Sequence, residues 1–405
     1  MTEWIETHLG DCVEINPETL TSRYKGTINY VDISSVDSGK LLGYTEYDIK
    51  DAPSRAKRVI RKGDIVYSTV RPNLRAYYYV KSCPDNAICS TGFVVLRAKE
   101  NTNSRFIYSL VTENSFINWL SAVAKGSAYP AVDSADFKSA KIKIPDIGTQ
   151  NRISDILSAY DDLIENNLAR ISLLEKMASE LYKEWFVRFR FPGHEAAKFV
   201  DGVPEGWEMR KLKELIEFDP LIRMKKGVEY RTIPMDLLST DSMLIDTSGC
   251  EKTTSTSGAH FQNGDTLLAR ITPCLENGKT GFVNTLDDGE TAVGSTEFIV
   301  MRSKLLSPHL VYFIARSEYF RKTAINSMNG ADGRQRAKIS KLQSLSYPLP
   351  TRDIIDEFSE IVEPFFEEIK NLNIQNHNLT KQRDLLLPRL MSGKLSVEPL
   401  LGQTA

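Results

Sequence analysis

The chain is poor in the residues that build redox centres, metal centres and membrane spans. Its five cysteines (Cys12, Cys83, Cys89, Cys250 and Cys274) are scattered over 405 residues without a CxxC pair. Its five histidines (His8, His194, His260, His309 and His377) have neither cysteine nor carboxylate at metal-ligand spacing. No apolar run approaches the roughly 20 residues of a membrane helix. The opening MTEWIETHLGD is neither basic nor apolar enough for a secretory leader. A cytoplasmic protein with reduced thiols is therefore expected, with Cys83 and Cys89 unpaired despite their closeness. Catalytic signatures are missing too. There is no GxxxxGK followed by Ser or Thr, no GxGxxG opening a helix and no GxSxG. Triplets such as Asp48-Ile49-Lys50, Asp136-Phe137-Lys138 and Glu368-Ile369-Lys370 are too common by chance to mark a nuclease. No catalytic residue, bound metal or bound cofactor is expected. A surplus of positive charge is also lacking, since 51 Lys and Arg face 53 Asp and Glu.

What is present is a long internal repeat. GDIVYSTVRPNL at 63–74 and ICSTGFVVLRAK at 88–99 return as GDTLLARITPCL at 264–275 and VGSTEFIVMRSK at 293–304. The offset is 201 residues at Gly63/Gly264, and 205 at Ser90/Ser295 and Pro145/Pro350. This is far longer than a solenoid repeat of about 20–50 residues, so a whole domain with its following helix has been duplicated. Two similar but non-identical domains suit a ligand with two similar but non-identical halves, as asymmetric double-stranded DNA is. Hydrophobic content of 41% is enough for real cores, and 405 residues imply at least two domains.

Within each copy, short runs rich in Val, Tyr, Phe and Thr, such as DIVYSTV, AYYYV and FVVLRA, read as strands. One helix is expected over 104–124 and its counterpart over 307–326. The Tyr77-Tyr78-Tyr79 run reads as strand alternation rather than a stacking platform. Asn16-Pro17-Glu18 and Asp219-Pro220-Leu221 read as turns. Charge is partitioned. Residues 1–145 carry 19 basic and 16 acidic side chains, and 187–350 carry 22 and 20. The stretches 148–186 and 351–387 are acidic, at 4 against 7 and 4 against 8. Within the two domains, 53–81 carries eight basic residues with only Asp64 as acid, and 321–341 six with only Asp332. Either could face phosphate, or be an ordinary solvated surface.

The acidic stretches carry heptad seams. Apolar positions spaced 4-3-4-3 run Ile153, Leu157, Tyr160, Ile164, Asn167, Ile171, Leu174, Ala178, Leu181. The second seam runs Phe358, Val362, Phe365, Ile369, Leu372, Asn376, Leu379, Arg383, Leu386. A first arm of 39 residues would span roughly 58 Å at about 1.5 Å per residue. Glu363-Pro364 predicts a kink or a late helix start in the second arm. One helix cannot bury its own stripe. Duplicated halves supply the mate, so the arms are expected to pair antiparallel within the chain. Intermolecular pairing and a partner-binding face are the competing uses. Asn167 and Asn376 interrupt the seams in the manner of register-setting residues.

At this point the chain resembles the specificity subunits of type I restriction–modification systems. The resemblance rests on the domain–helix–domain–helix order. It rests also on LYKEWFVRFRFPGHE (181–195) and LLLPRLMSGKLSVEP (385–399) closing the two arms. GWEMRKLKEL (206–215) opens the second domain as WIETHLGDCVEI (4–15) opens the first, and KGSAYPAVDSADFKSAKIKIP (125–145) resembles the family's domain–helix junction. The second junction, NGADGRQRAKISKLQSLSYPLP (329–350), departs from it. The implied fold is α+β: two similar target recognition domains separated by two long antiparallel coiled-coil helices, in a pseudo-twofold duplication. The implied segments are 1–147 and 191–350 as recognition domains, 148–190 and 351–398 as spacer helices, and 399–405 as a tail. The implied role is non-catalytic recognition of a bipartite DNA site, the helices acting as a ruler. The implied partners are double-stranded DNA, two methyltransferase subunits and ATP-driven restriction subunits, with no membrane. S-adenosylmethionine, ATP and Mg belong to those partners. The Asn/Asp-Pro-Pro-Phe/Tyr segment of an adenine methyltransferase is absent from this chain.

Candidate DNA contacts in the first domain are Arg71, Asn73 and Arg75 as base readers, since Arg suits guanine and Asn adenine. Lys57, Arg58, Arg61 and Lys62 are candidate phosphate contacts, and Lys125, Ser127 and Tyr129 form a loop along the duplex. In the second domain the candidates are Thr272, Asn277, Lys279, Arg334, Gln335 and Arg336. Each could instead be an ordinary exposed turn residue. The alternatives for the whole chain are an autonomous two-domain DNA-binding regulator and a coiled-coil protein scaffold.

Overall fold

A computed structural model describes residues 3–126, 128–245, 247, 250–330 and 334–397. The chain divides into two compact units. The first comprises residues 1–164 and 379–405, and the second residues 165–378. The two arms are the helices Ile147–Tyr182 and Arg352–Met391. Each arm therefore gives one part to each unit.

The first unit holds two four-stranded sheets. In one, Val13–Ile15, Phe93–Ala98, Ile65–Ser68 and Tyr77–Tyr79 lie side by side, all antiparallel. In the other the order is Thr45–Asp48, Thr27–Val31, Ala87–Ser90 and Ala56–Val59, with one parallel pair, Thr27–Val31 beside Ala87–Ser90. A short antiparallel pair, Ile5–His8 with Lys141–Ile144, ties the start of the unit to the strand that leads into the first arm. The second unit repeats this plan. Ile216–Phe218, Phe298–Ser303, Thr266–Ala269 and Thr280–Phe282 form one sheet. Lys252–Thr253, Tyr230–Ile233, Thr291–Gly294 and Ala259–Gln262 form the other. Glu208–Lys211 pairs with Ser346–Leu349 as the tie.

The duplication extends to single hydrogen bonds. Asn16 and Asp219 both have positive φ, 52° and 51°. Each accepts a backbone N–H on its side-chain Oδ1, from Val95 and Val300 respectively, at 3.0 and 2.9 Å. The turn chemistry read at these two positions is thus a strand lock. Asp64 and Asp265, each 1% exposed, are clasped bidentately by Arg97 and Arg302.

The helix expected over 104–124 is two helices, Ser104–Thr112 and Asn114–Val123. The counterpart is likewise Pro308–Arg316 and Glu318–Asn326. At each break the backbone turns extended, at Glu113 (ψ 144°) and Ser317 (ψ 145°), and that residue's side chain accepts an N–H of the next helix. A side-chain cap inside an apolar stripe ends one helix and starts another. The second arm does not start late at Glu363-Pro364, because helix begins at Arg352 and runs through both residues. Tyr77 and Tyr78 are both buried, in different cores on the two faces of their strand, so neither is a surface platform. Cys83 and Cys89 are not joined, and burial pushes the Cys89 thiol up to about 12.

The seams are buried within each unit. In the first, Ile153 and Leu157 join a core that includes Leu390 and is flanked by Leu386 and Leu387, while Asp161 pairs with Arg383 at 2.7 Å. Tyr160, Ile164 and Leu379 are half-buried. In the second, Ile171, Ala178, Phe358, Val362, Ile369 and Leu372 share one core, with Leu174, Leu181 and Phe365 packed against it. Phe366, one residue past the expected seam position, is the fully buried one. It packs edge-on to Phe282 and His309. The partners Asn167–Asn376 and Arg170–Glu368 run in opposite directions along the chain, so the helices are antiparallel.

Candidate nucleic-acid interface

In the first unit the turn after strand Ile65–Ser68 is a single 3-10 turn, Pro72–Leu74, bracketed by Arg71 and Arg75 in the left-handed region (φ 49° and 57°). Arg71 stitches two expected reading segments together. Its backbone N–H donates to the Pro130 carbonyl at 2.7 Å, and its Nη2 donates to the Ala128 carbonyl at 3.1 Å. Its guanidinium lies 4.7 Å from the centre of the Tyr129 ring, within cation–π range. Tyr129 is 70% exposed. Lys125 exchanges two backbone hydrogen bonds with Ala131, closing a small loop that turns at Gly126, whose φ of 104° favours glycine. Ser127 lies outside the described residues. Asn73 is exposed between the two arginines, and Arg75 donates to Asn114 Oδ1 at 2.6 Å.

The expected phosphate contacts separate into two kinds. Lys57 and Lys62 are exposed and make no ion pair among the described residues. Arg61 is paired with Glu18 at 2.6 Å, and that hydrogen bond raises its pKa. Arg58 is half-buried, and desolvation lowers its pKa.

In the second unit the equivalent turn meets the 329–338 segment through backbone. Thr272 N–H donates to the Gln335 carbonyl at 3.1 Å, while Asn329 and Arg336 exchange two backbone hydrogen bonds. Arg336 clasps Glu297 at 2.5–2.9 Å. Arg334 is exposed without an ion pair among the described residues, and Asn277 is exposed. Gln335 is half-buried. Lys279 is turned inward, its Nζ donating to the Met235 carbonyl at 3.0 Å, so it braces the fold rather than facing solvent.

Counting charge by window missed one exposed cluster. Arg223, Lys225 and Lys226 lie on a loop whose Leu221 is 87% exposed. His260 faces the Ile222 carbonyl at 3.2 Å, and the Tyr230 hydroxyl bonds both N–H and carbonyl of Lys225. None of the three cations makes an ion pair among the described residues. The signal was there as RMKK, but Asp219 and Glu229 on either side dilute it in a wide window. Among the described residues no three His, Cys, Asp or Glu side chains gather closely enough to hold a metal, and no helix is long and apolar enough to cross a membrane. The two arrangements offer cations, amides and a stacked Arg–Tyr pair to a polyanion, without a nucleophile paired to a base.

Comparison with known proteins gives the same direction. Residues 1–176 match the family described as type I restriction modification DNA specificity domain. The specificity subunit of the type I restriction enzyme HindI from Haemophilus influenzae is 24% identical over 98% of this chain and all of its own length. That of MjaIX from Methanocaldococcus jannaschii is 26% identical over 96% of this chain and 88% of its own. The fold is similar to the crystal structure of a type I restriction–modification system S subunit from M. genitalium, with a TM-score of 0.58 and 14% identity over 96% of each chain. The chain is thus similar over residues 1–176 to the type I restriction modification DNA specificity domain, and along nearly its whole length to these specificity subunits.

Proposed function

We propose that the chain is the DNA-recognition subunit of a type I restriction–modification complex and reads a bipartite, asymmetric site with one unit per half-site. The observation that carries this reading is the duplication itself. The two units share sheets, ties and buried locks, yet differ at the exposed residues around Arg71 and Thr272. Common scaffolding with divergent reading positions is what two different half-sites require. Phosphate contacts from Lys57, Lys62, Arg223, Lys225 and Lys226 would set position, and side chains at the turns would set sequence.

The subunit acts without chemistry of its own. Methylation of adenine from S-adenosylmethionine, and ATP- and Mg-dependent translocation and cleavage, belong to methyltransferase and restriction subunits that dock on this chain in the cytoplasm. Two methyltransferase subunits, one for each half of the duplication, match its symmetry. The acidic arms support protein docking and spacing, since phosphate repels them.

Selection from a randomised duplex library tests this, with and without the methyltransferase partner. Two short motifs at one fixed gap, enriched with the partner, are expected. A continuous motif selected by the chain alone would instead make it an autonomous regulator. No enrichment by an intact complex would make it a protein scaffold.

A further inference from the structure

The two units solve one local problem differently. In the first, the strand Ile65–Ser68 continues through Thr69 and Val70 to Arg71, and Val70 bridges Ala131. In the second, Thr266–Ala269 continues through Arg270 and Ile271 to Thr272, and Ile271 bridges Arg336. Pro72 and Pro273 follow at the same offset of 201, so Thr69 corresponds to Arg270 and Arg71 to Thr272. Each copy has one arginine beside the bridge, after it in the first and before it in the second.

The surroundings have changed with the shift. Thr69 is sealed: its N–H and its hydroxyl both donate to the Gly92 carbonyl at 2.9 Å. At the matching place Arg270 N–H donates to the Glu297 carbonyl, also at 2.9 Å. Glu297 stands where the first copy has Gly92, and Arg336 where it has Ala131. Three charged side chains thus replace three small ones. Arg336 takes both oxygens of Glu297. Arg270 is left with no ion pair or side-chain hydrogen bond among the described residues, and its Nε is buried without a partner. A buried Nε–H without an acceptor is costly to keep. It lines an open cleft of about 290 Å³ bounded by Asp219, Leu221, His260 and Phe298. The Leu221 loop with its unpaired cations forms the rim.

We infer that Arg270 is a specificity-determining residue of the second unit, its guanidinium donating to the paired acceptors of a guanine edge in the half-site that this unit reads. The Glu297–Arg336 pair is the positioning element: Arg336 takes up the Glu297 carboxylate beside Arg270, while Asp219, which also lines the cleft, acts on Arg270 through charge without forming an ion pair with it among the described residues. The inference rests on the DNA-recognition reading above. Thr272, the position suggested by alignment with Arg71, turns its side-chain hydroxyl to the Gln335 carbonyl at 3.5 Å.

The test uses the full chain in complex with its methyltransferase partner, selected against the randomised duplex library as wild type, Arg270→Lys and Arg270→Ala. Thermal unfolding of each checks folding. Lysine keeps the charge and loses the two-pronged geometry, so it remains informative should the alanine variant unfold. Expected is a loss of guanine preference at one position of one half-site by about 5- to 150-fold, the other half-site and the gap unchanged. A uniform loss over all sequences would make Arg270 a phosphate contact and overturn the assignment, as would an unchanged motif. A wild-type complex that selects no motif would overturn the DNA-recognition reading itself and Arg270's role with it.

Discussion

Asn167 Nδ2 donates to Asn376 Oδ1 at 3.0 Å, from one long helix to the other, with the two side chains 1% and 8% exposed. It is an amide pair inside an apolar seam, and the Asn376 Nδ2 has no partner of its own. Such a pair gains little net stability but penalises every register that separates the two amides. Asn167→Leu alone strands the Asn376 amide and is expected to lower stability by about 1–3 kcal/mol. Leucine at both positions is expected to recover the loss or exceed it. Urea unfolding of the three variants checks this; a single variant as stable as wild type would show that the pair is not a constraint.

The clasped carboxylates make a second prediction. Asp64 also accepts the Arg61 N–H at 2.8 Å, and Asp265 the Gln262 N–H at 2.9 Å. These bonds hold the turn ahead of each central strand. Arg97→Met would leave a 1% exposed carboxylate facing a single N–H, at a cost of about 3–5 kcal/mol. Adding Asp64→Asn removes the charge and keeps an acceptor, so part of the loss should return. Thermal melts of the single and double variants decide it. An undiminished loss in the double variant would trace the effect to packing of the arginine stem.

His309 gives the fold a pH dependence. Desolvation against Phe282 and Phe366 pushes its pKa down to about 4. The unfolded value is about 6.5, so between these the unfolded chain binds a proton that the folded chain refuses. Stability from this residue is complete above about pH 6.5 and is lost as pH falls toward 4, by at most about 3 kcal/mol. His309→Phe is expected to narrow the stability difference between pH 7 and pH 4.5, measured by urea unfolding at both. An unchanged difference would show that His309 titrates freely in the folded state.

Much of this was legible in the sequence because periodicity and repetition survive divergence. The seam from Ile153 to Leu181 reads directly, since each apolar position has only one face to occupy. The shift from Phe365 to Phe366 does not, because it depends on where Phe282 and His309 present their rings. The helix breaks at Glu113 and Ser317 were hidden by the apolar stripe continuing across them. Side-chain partnership was hidden more deeply. Lys279 and Arg334 look alike as letters, yet one donates into backbone carbonyls and the other faces solvent. The match of Arg270 with Thr69 follows from Pro72 and Pro273 in the sequence, but only the fold shows that Arg336 takes the nearby Glu297 and leaves the Arg270 Nε without a partner.

Base reading by Arg71 separates from phosphate contact by its signature. Held against Ala128 and Tyr129, its guanidinium is ordered before DNA arrives, and preorganised donors lose less on binding. Arg71→Ala is expected to relax one position of the first half-site by about 1–3 kcal/mol. Lys57→Ala is expected to weaken all sequences alike and to lower the salt dependence by about one ion. Titrations at several salt concentrations on the selected site and on one-base variants distinguish them. A uniform loss from Arg71→Ala would move it among the phosphate contacts.

The ruler proposal is tested where the seam passes from one unit to the other, between Ile164 and Asn167 in the first helix and between Asn376 and Leu379 in the second. Seven residues of heptad pattern added at both places leave every contact inside each unit intact, and Asn167 still faces Asn376. Seven residues lengthen a helix by about 10 Å, close to three base-pair steps of about 3.4 Å. The selected gap is expected to grow by about three base pairs with both half-sites unchanged. The same insertion in one helix alone prevents the Asp161–Arg383 and Asn167–Asn376 pairs from being in register together along two continuous helices, and should abolish folding or assembly. If the doubly extended chain folded, bound the partner and kept the original gap, the helices would not set the spacing. The distance between half-sites would then have to be fixed by the methyltransferase subunits.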